Sequence, residues 1–257
     1  MNIYIGTSGW AFPNWVGVLY PEGLPQNKWL NFYSQIFNCV EVNSTFYRLF
    51  KPSTYLNWAK TVGNDFKFII KVPQEISHKK KLVNAGKELD EFFENIENLR
   101  PKIGLVLLQL PPSFSTPIDI FSDVIAYISS KFPLAVEFRN KYSRSEEVLD
   151  ILIRNNCVYV NPDSPNNFLT NILTNRTLYY RLHGRIALHK SSYNDEELEE
   201  IASSIKTFEG RIDNAYIIFN NGMLGYSIPN AVKLQSLLRT TRECNGNALG
   251  NIQKLEF

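Results

Sequence analysis

Residues 104–110 read Gly-Leu-Val-Leu-Leu-Gln-Leu. A run this short and this apolar, with no wet face, is the signature of a β-strand covered on both sides. Its single polar side chain, Gln109, comes late. Short β-branched or aliphatic runs of the same kind recur at 3–6, 39–43, 66–72, 134–138, 157–161, 178–183 and 215–220. Between them lie segments with helical spacing, such as Leu89, Phe92, Phe93, Ile96 and Leu99, or Leu198, Ile201, Ile205 and Phe208. Ser145 stands as a helix N-cap before Glu146 and Glu147, and Asp195 is given the same part before Glu196 and Glu197.

Strand and helix alternating eight times predict an α/β chain closed as a single (β/α)₈ TIM-type barrel, a parallel eight-stranded barrel with outer helices. The rival, an open doubly wound sheet, lacks support: no GxGxxG turn follows the first strand and no GxxxxGK[ST] loop occurs. Residues 1–239 read as the barrel domain, and 240–257, with Asn245, Gly246, Asn247 and Gly250, as a loosely ordered tail. The stretch 162–177 is rich in Asn, Pro and Ser, which predicts a loop or short helix in the sixth crossover.

Polar residues inside such strands need a reason, and here they sit late. Alternation places i and i+2 on one face, pairing Glu41 with Asn43, Glu137 with Arg139, Asn161 with Asp163, and Arg181 with His183. Lys71, Gln109 and Asn220 hold similar late positions, with Asn221 beside the last. In a closed barrel these groups gather at the C-terminal mouth, where enzymes of this fold carry their sites. Glu41, Glu137, Asp163 and His183 are the candidate catalytic residues, and Ser8, Trp10, Asn43, Tyr47, Lys71, Gln109, Arg139, Arg181, Asn220 and Asn221 the candidate substrate contacts. Arginine offers a bidentate fork to phosphate or carboxylate, a carboxylate moves protons, and histidine assists near neutral pH. The competing reading is a buried ion network serving only the core.

Glu41, Glu137, Asp163 and His183 also form an oxygen-and-nitrogen set suited to a divalent metal, but Lys71, Arg139 and Arg181 beside it favour an anion instead. No cofactor is predicted. The aromatics Trp10, Phe12, Trp15, Phe46 and Tyr47 flank the mouth, either to stack on a ring or base or to pack under the loops.

The chain's 27 Lys and Arg against 25 Asp and Glu, a net charge of +2, are too mild for wholesale wrapping of nucleic acid. The cationic run His78, Lys79, Lys80, Lys81 reads as a solvated loop, with phosphate contact as the alternative. No secretory leader precedes Ile3, and the apolar stretch 103–108 is far too short to span a bilayer, so a cytoplasmic protein without a membrane partner is expected. Cys39, Cys157 and Cys244 show no CxxC spacing; the first two read as buried small hydrophobes.

Several of these segments together resemble the YecE-like family, a domain of unknown function (72). They are GTSGW at 6–10, EVNSTFY at 41–47, QLPPSF at 109–114, EFR at 137–139, RLHG at 181–184 and FNN at 219–221. The resemblance runs in order through almost the whole chain. It implies a TIM-type barrel and a shared set of mouth residues: Glu41, Asn43, Glu137, Arg139, Asp163, Arg181, His183 and Asn220. After EFR this chain has Asn140, Lys141 and Tyr142 where relatives look more like His-Pro-x-Trp, so a role for that histidine or tryptophan lapses. The family supplies no established reaction, and fold alone implies none. The expected activity is therefore an enzyme acting on an anionic small molecule or nucleic-acid component. A nucleic-acid-binding barrel resembling DNA-repair endonucleases and a non-catalytic ligand sensor or scaffold stand as alternatives.

Overall fold

A computed structural model describes residues 1–139, 145–165 and 167–239. The expected tail, Cys244 and the departure at Asn140 to Tyr142 lie outside the described residues. Eight strands form a closed barrel in sequence order, every neighbouring pair parallel and β1 pairing with β8. They are β1 (Asn2–Thr7), β2 (Cys39–Val42), β3 (Lys67–Lys71), β4 (Ile103–Gln109), β5 (Leu134–Glu137), β6 (Val158–Asp163), β7 (Thr177–Leu182) and β8 (Asn214–Phe219).

Helices follow the strands as the alternation predicts. They are α1 (Trp29–Ile36), the single turn α2 (Ser44–Tyr47), α3 (Pro52–Thr61), α4 (Gly86–Ile96), α5 (Ile118–Ser129), α6 (Glu146–Arg154), α7 (Asp195–Lys206) and α8 (Ser227–Leu237). Among the described residues no helix joins β6 to β7, so of the loop or short helix expected for the sixth crossover the structure has the loop. Ser145 caps α6, its hydroxyl accepting from the Val148 amide at 3.3 Å. The cap of α7 is Asn194 rather than Asp195. Asn194 Oδ1 accepts from the Glu197 amide at 2.8 Å while Glu197 returns a carboxylate to the Asn194 amide at 2.9 Å, a reciprocal pair that the residue one place later cannot form. Asp195 instead lies in the first turn and pairs with Lys233 of α8 at 2.8 Å.

Strand alternation divides the buried side chains into two sets. One fills the barrel: Cys39, Ile69, Leu105, Leu107, Ala135, Val158, Val160, Tyr179, Tyr216 and Ile218. The other lies between strands and helices and includes Val40, Val42, Phe68, Val136, Tyr159, Leu182 and Phe219. At the N-terminal end Tyr4 stacks on Tyr216 with centroids 4.7 Å apart. Gly104 makes room for this pair, since a Cβ there would stand 2.6 Å from the Tyr216 hydroxyl. Buried interior residues become polar toward the strand C-termini, so the apolar layers form the floor of the mouth. Cys39 and Cys157 are buried, as expected. No helix among the described residues is long and apolar enough to cross a membrane.

Candidate functional site

The interior parity of β2, β5 and β7 carries Glu41, Glu137 and Arg181 into the barrel above Cys39, Ala135 and Tyr179. Arg181 is wholly buried. Its guanidinium takes both oxygens of Glu41, Nε to Oε2 at 2.8 Å and Nη2 to Oε1 at 2.6 Å, and Nη1 donates to Glu137 Oε2. The Tyr179 hydroxyl donates to Glu41 as well. Arg139, two residues beyond Glu137 and part-exposed, donates from Nε to Glu137 Oε1 at 2.8 Å. Burial alone pushes the Glu137 carboxyl up, but Arg181, Arg139 and His183 outweigh it and hold the group well below the usual carboxylate range. The same two carboxylates overcome burial to keep Arg181 firmly charged.

Lys71, at the end of β3, pairs with no carboxylate among the described residues. Its ammonium donates to Gln109 Oε1 at 2.8 Å and sits 4.2 Å from the centre of the Phe46 ring. Burial, with the Arg181 charge adding to it, lowers its pKa to about 8. Among the described residues the mouth thus sets three cations, Lys71, Arg139 and Arg181, against two carboxylates, Glu41 and Glu137. One positive charge is left over.

His183 lies on the same face, its Nε2 4.0 Å from Glu137 Oε1 and without a hydrogen-bond partner among the described residues. Ser8 Oγ donates to Asn220 Oδ1 at 2.6 Å, which leaves Asn220 Nδ2 to donate to His183 Nδ1 at 3.2 Å. That assignment puts the His183 proton on Nε2, an unused donor at the mouth. Burial first, then the Arg181 and Arg139 charges, hold His183 well below its ordinary pKa, so it is neutral. Asn43 presents a second buried atom without a partner among the described residues, Oδ1.

Two histidines outside the candidate set join this site. His78 follows β3 on a one-turn π-helix, Glu75–Lys79, a form often found at functional positions. Its ring meets the edge of Phe46 at 4.8 Å, and Lys71 and Arg139 add to burial in lowering its pKa. His189 packs on His183 at 5.1 Å and its Nδ1 contacts the Asn220 carbonyl at 2.6 Å. Neither carries a strand-period signal, and His78 is masked in the sequence by the three lysines after it.

Three expectations are corrected. Asp163 and Asn161 do not face the barrel; Val158 and Val160 occupy the interior positions of β6. Asn161 ties down the uncovered crossover, accepting from the Ile172 amide at 2.8 Å and Thr170 Oγ1 at 2.9 Å. Asp163 pairs with Arg185 at 2.9 Å, and Arg185 also reaches Glu200 of α7 at 2.6 Å. Polar residues on β6 therefore serve a polar loop lying where a helix would otherwise pack; Asp163 meets His183 only through its main-chain carbonyl, which accepts from the His183 amide at 2.8 Å, and its carboxylate is not brought to Glu41, Glu137 and His183. Burial raises its pKa, opposed by Arg185. Asn221 turns away from Asn220, donating to the Ser191 carbonyl at 3.0 Å and Asn230 Oδ1 at 2.9 Å. Trp10 is half-buried edge-on to Trp58 at 5.2 Å, and Trp15 is fully buried, so these rings support loops. Tyr47, 72% exposed, is free to meet a ligand.

The proposed metal set does not assemble. Asp163 lies on the opposite face, Glu41 and Glu137 share one guanidinium, and no three His, Cys, Asp or Glu converge among the described residues.

A profile of the family described as Protein of unknown function DUF72 matches residues 4–252. UPF0759 protein YecE of Escherichia coli K12 is 39% identical over 112 residues, which span 44% of this chain and 39% of that protein. UPF0759 protein YunF of Bacillus subtilis is 25% identical over 92% of this chain and 94% of its own. Among solved structures, a DUF72 family protein from Thermotoga maritima superposes with a TM-score of 0.82 at 27% identity, covering 93% of this chain and 100% of its own. One from Enterococcus faecalis gives 0.77 at 21% identity over 92% and 95%, a likeness of fold. With its TIM-type barrel and a family match over nearly its whole length, the chain belongs to the DUF72 family of proteins of unknown function.

Proposed function

We propose that the mouth binds a small anionic molecule, a phosphate or carboxylate bearer, and that the protein is an enzyme performing proton-transfer chemistry on it. The observation that carries this reading is Lys71: a buried ammonium with no carboxylate partner among the described residues, which together leave one surplus positive charge in the mouth. A buried charge without a counter-ion is unfavourable, and an incoming anion relieves it. The unpartnered Nε2–H of His183 offers that anion a directed hydrogen bond.

The roles of the carboxylates shift from the expectation. Glu41 and Glu137 are clamped by Arg181, so they act as fixed charges that set the field of the site. Neutral His183 donates a hydrogen bond. Lys71 is the group whose pKa, about 8, suits proton exchange near neutral pH.

Thermal unfolding in the presence of orthophosphate, pyrophosphate and citrate tests the anion site. Wild-type protein is expected to gain stability with at least one of them at constant ionic strength, and Lys71→Met to lose that gain. Equal responses in both proteins contradict the reading. Titration with single- and double-stranded oligonucleotides over a salt series separates a nucleic-acid ligand, whose affinity falls steeply with salt, from a small anion.

A further inference from the structure

We propose that Lys71 is a nucleophilic amine that condenses with the carbonyl group of an anionic substrate to form an imine. The inference rests on the anion-binding reading and names the substrate class: a carbonyl compound that also bears phosphate or carboxylate.

Geometry singles out this lysine. It is 8% exposed, at the barrel mouth, with its nitrogen positioned by Gln109 on one side and the Phe46 ring on another. Lys79 and Lys80, on the loop that follows, are instead committed to Glu75 and Glu88 at 2.8 and 2.7 Å and are far more open to water. Imine formation needs a neutral amine, and burial with the neighbouring Arg181 makes one accessible close to neutral pH.

In the step, the lysine lone pair adds to the carbonyl carbon and the carbonyl oxygen takes a proton, giving a carbinolamine. The nitrogen lone pair then forms the C=N bond as the hydroxyl leaves with a second proton as water. Ammonium and carbonyl become iminium and water, so no electron is gained or lost and no net proton is exchanged. Because the iminium keeps the positive charge, the attraction for the anionic end of the substrate survives the reaction. Glu41 and Glu137 lie within electrostatic reach of Lys71 and favour that cation. His183 Nε2–H is the donor free to hydrogen-bond the carbonyl oxygen.

Pyridoxal 5′-phosphate, an aldehyde carrying a phosphate, is the probe. Wild-type protein is treated with one equivalent at pH 7.5, reduced with borohydride, and mapped by peptide mass spectrometry; pyridoxal, without the phosphate, is run in parallel. The expected result is a pyridoxyl adduct mainly on Lys71, at least tenfold above any other lysine, suppressed by inorganic phosphate and weaker with pyridoxal. Label spread over surface lysines with Lys71 unmodified overturns the proposal, and if phosphate still stabilises the wild type, the anion reading survives that failure. Label on Lys71 that phosphate does not suppress, equal for both aldehydes, supports the amine and removes the anion site. Since the readout is on wild-type protein, it does not depend on a variant folding; Lys71→Arg serves only as the unlabelled control.

Discussion

Arg181 and Lys71 are both buried cations in one mouth, yet they bear on stability with opposite sign. Arg181 is compensated by Glu41 and Glu137, so removing a carboxylate leaves buried charge behind. Glu41→Gln is expected to lower stability by roughly 3 kcal/mol, the scale for breaking a buried pair from one side, read as a fall in the urea midpoint. Lys71 has no paired carboxylate among the described residues, so Lys71→Met is expected to raise stability at neutral pH. A pKa moved from 10.5 to about 8 sets an upper bound of about 3 kcal/mol. Below pH 8 the group is protonated folded and unfolded, and its penalty is full. Between about 8 and 10.5 the folded protein has released the proton and the unfolded chain has not, so wild-type stability rises toward that of Lys71→Met. Urea unfolding of both at pH 7 and pH 10 checks it: the gap should narrow. Glu137 works the other way. Its contribution is present above the ordinary value of 4.5 and is lost as pH falls toward its depressed folded pKa, so Glu137→Gln should show a shallower acid-induced loss of stability.

At the scale of elements, β1 and β2 meet at a contact that admits no side chain. A Cβ on Gly6 would stand 2.0 Å from the Cys39 carbonyl oxygen, and the Tyr33 hydroxyl bridges that carbonyl and the Thr7 amide at 3.0 and 2.9 Å. Gly6→Ala must separate the strands, and a loss of more than about 3 kcal/mol, or absence of soluble protein, is expected by denaturant titration and expression. Asn194→Ala removes one helix cap and should cost about 1 kcal/mol. How far the elements were legible depended on what covers them. Strands β2, β5 and β7, packed by helices outside, could carry polar groups only inward, so their alternation located Glu41, Glu137, Arg139, Arg181 and His183 correctly. In β6 the same alternation misled, because the crossover covering it is itself polar and Asn161 and Asp163 satisfy it. His78 was illegible for another reason: it sits in a loop turn with no period, and only the closed barrel brings it to Phe46 and Lys71.

For the whole molecule the net charge is only +2, while the described residues of the mouth set three cations against two carboxylates above an apolar floor. Low-dielectric walls make such a local imbalance count for more than the same charge on the surface. The imbalance could not be read from sequence, since the strand pattern shows which groups face inward but not which pair with which. Only geometry assigns Glu41 and Glu137 to Arg181 and leaves Lys71 with Gln109. The most direct test is an NMR titration of the Lys71 side chain in ¹³C-lysine-labelled protein, assigned by loss of its signal in Lys71→Met. The account predicts a pKa of about 8 that rises when phosphate or the active anion is added. A pKa near 10.5, unmoved by any anion, would contradict it.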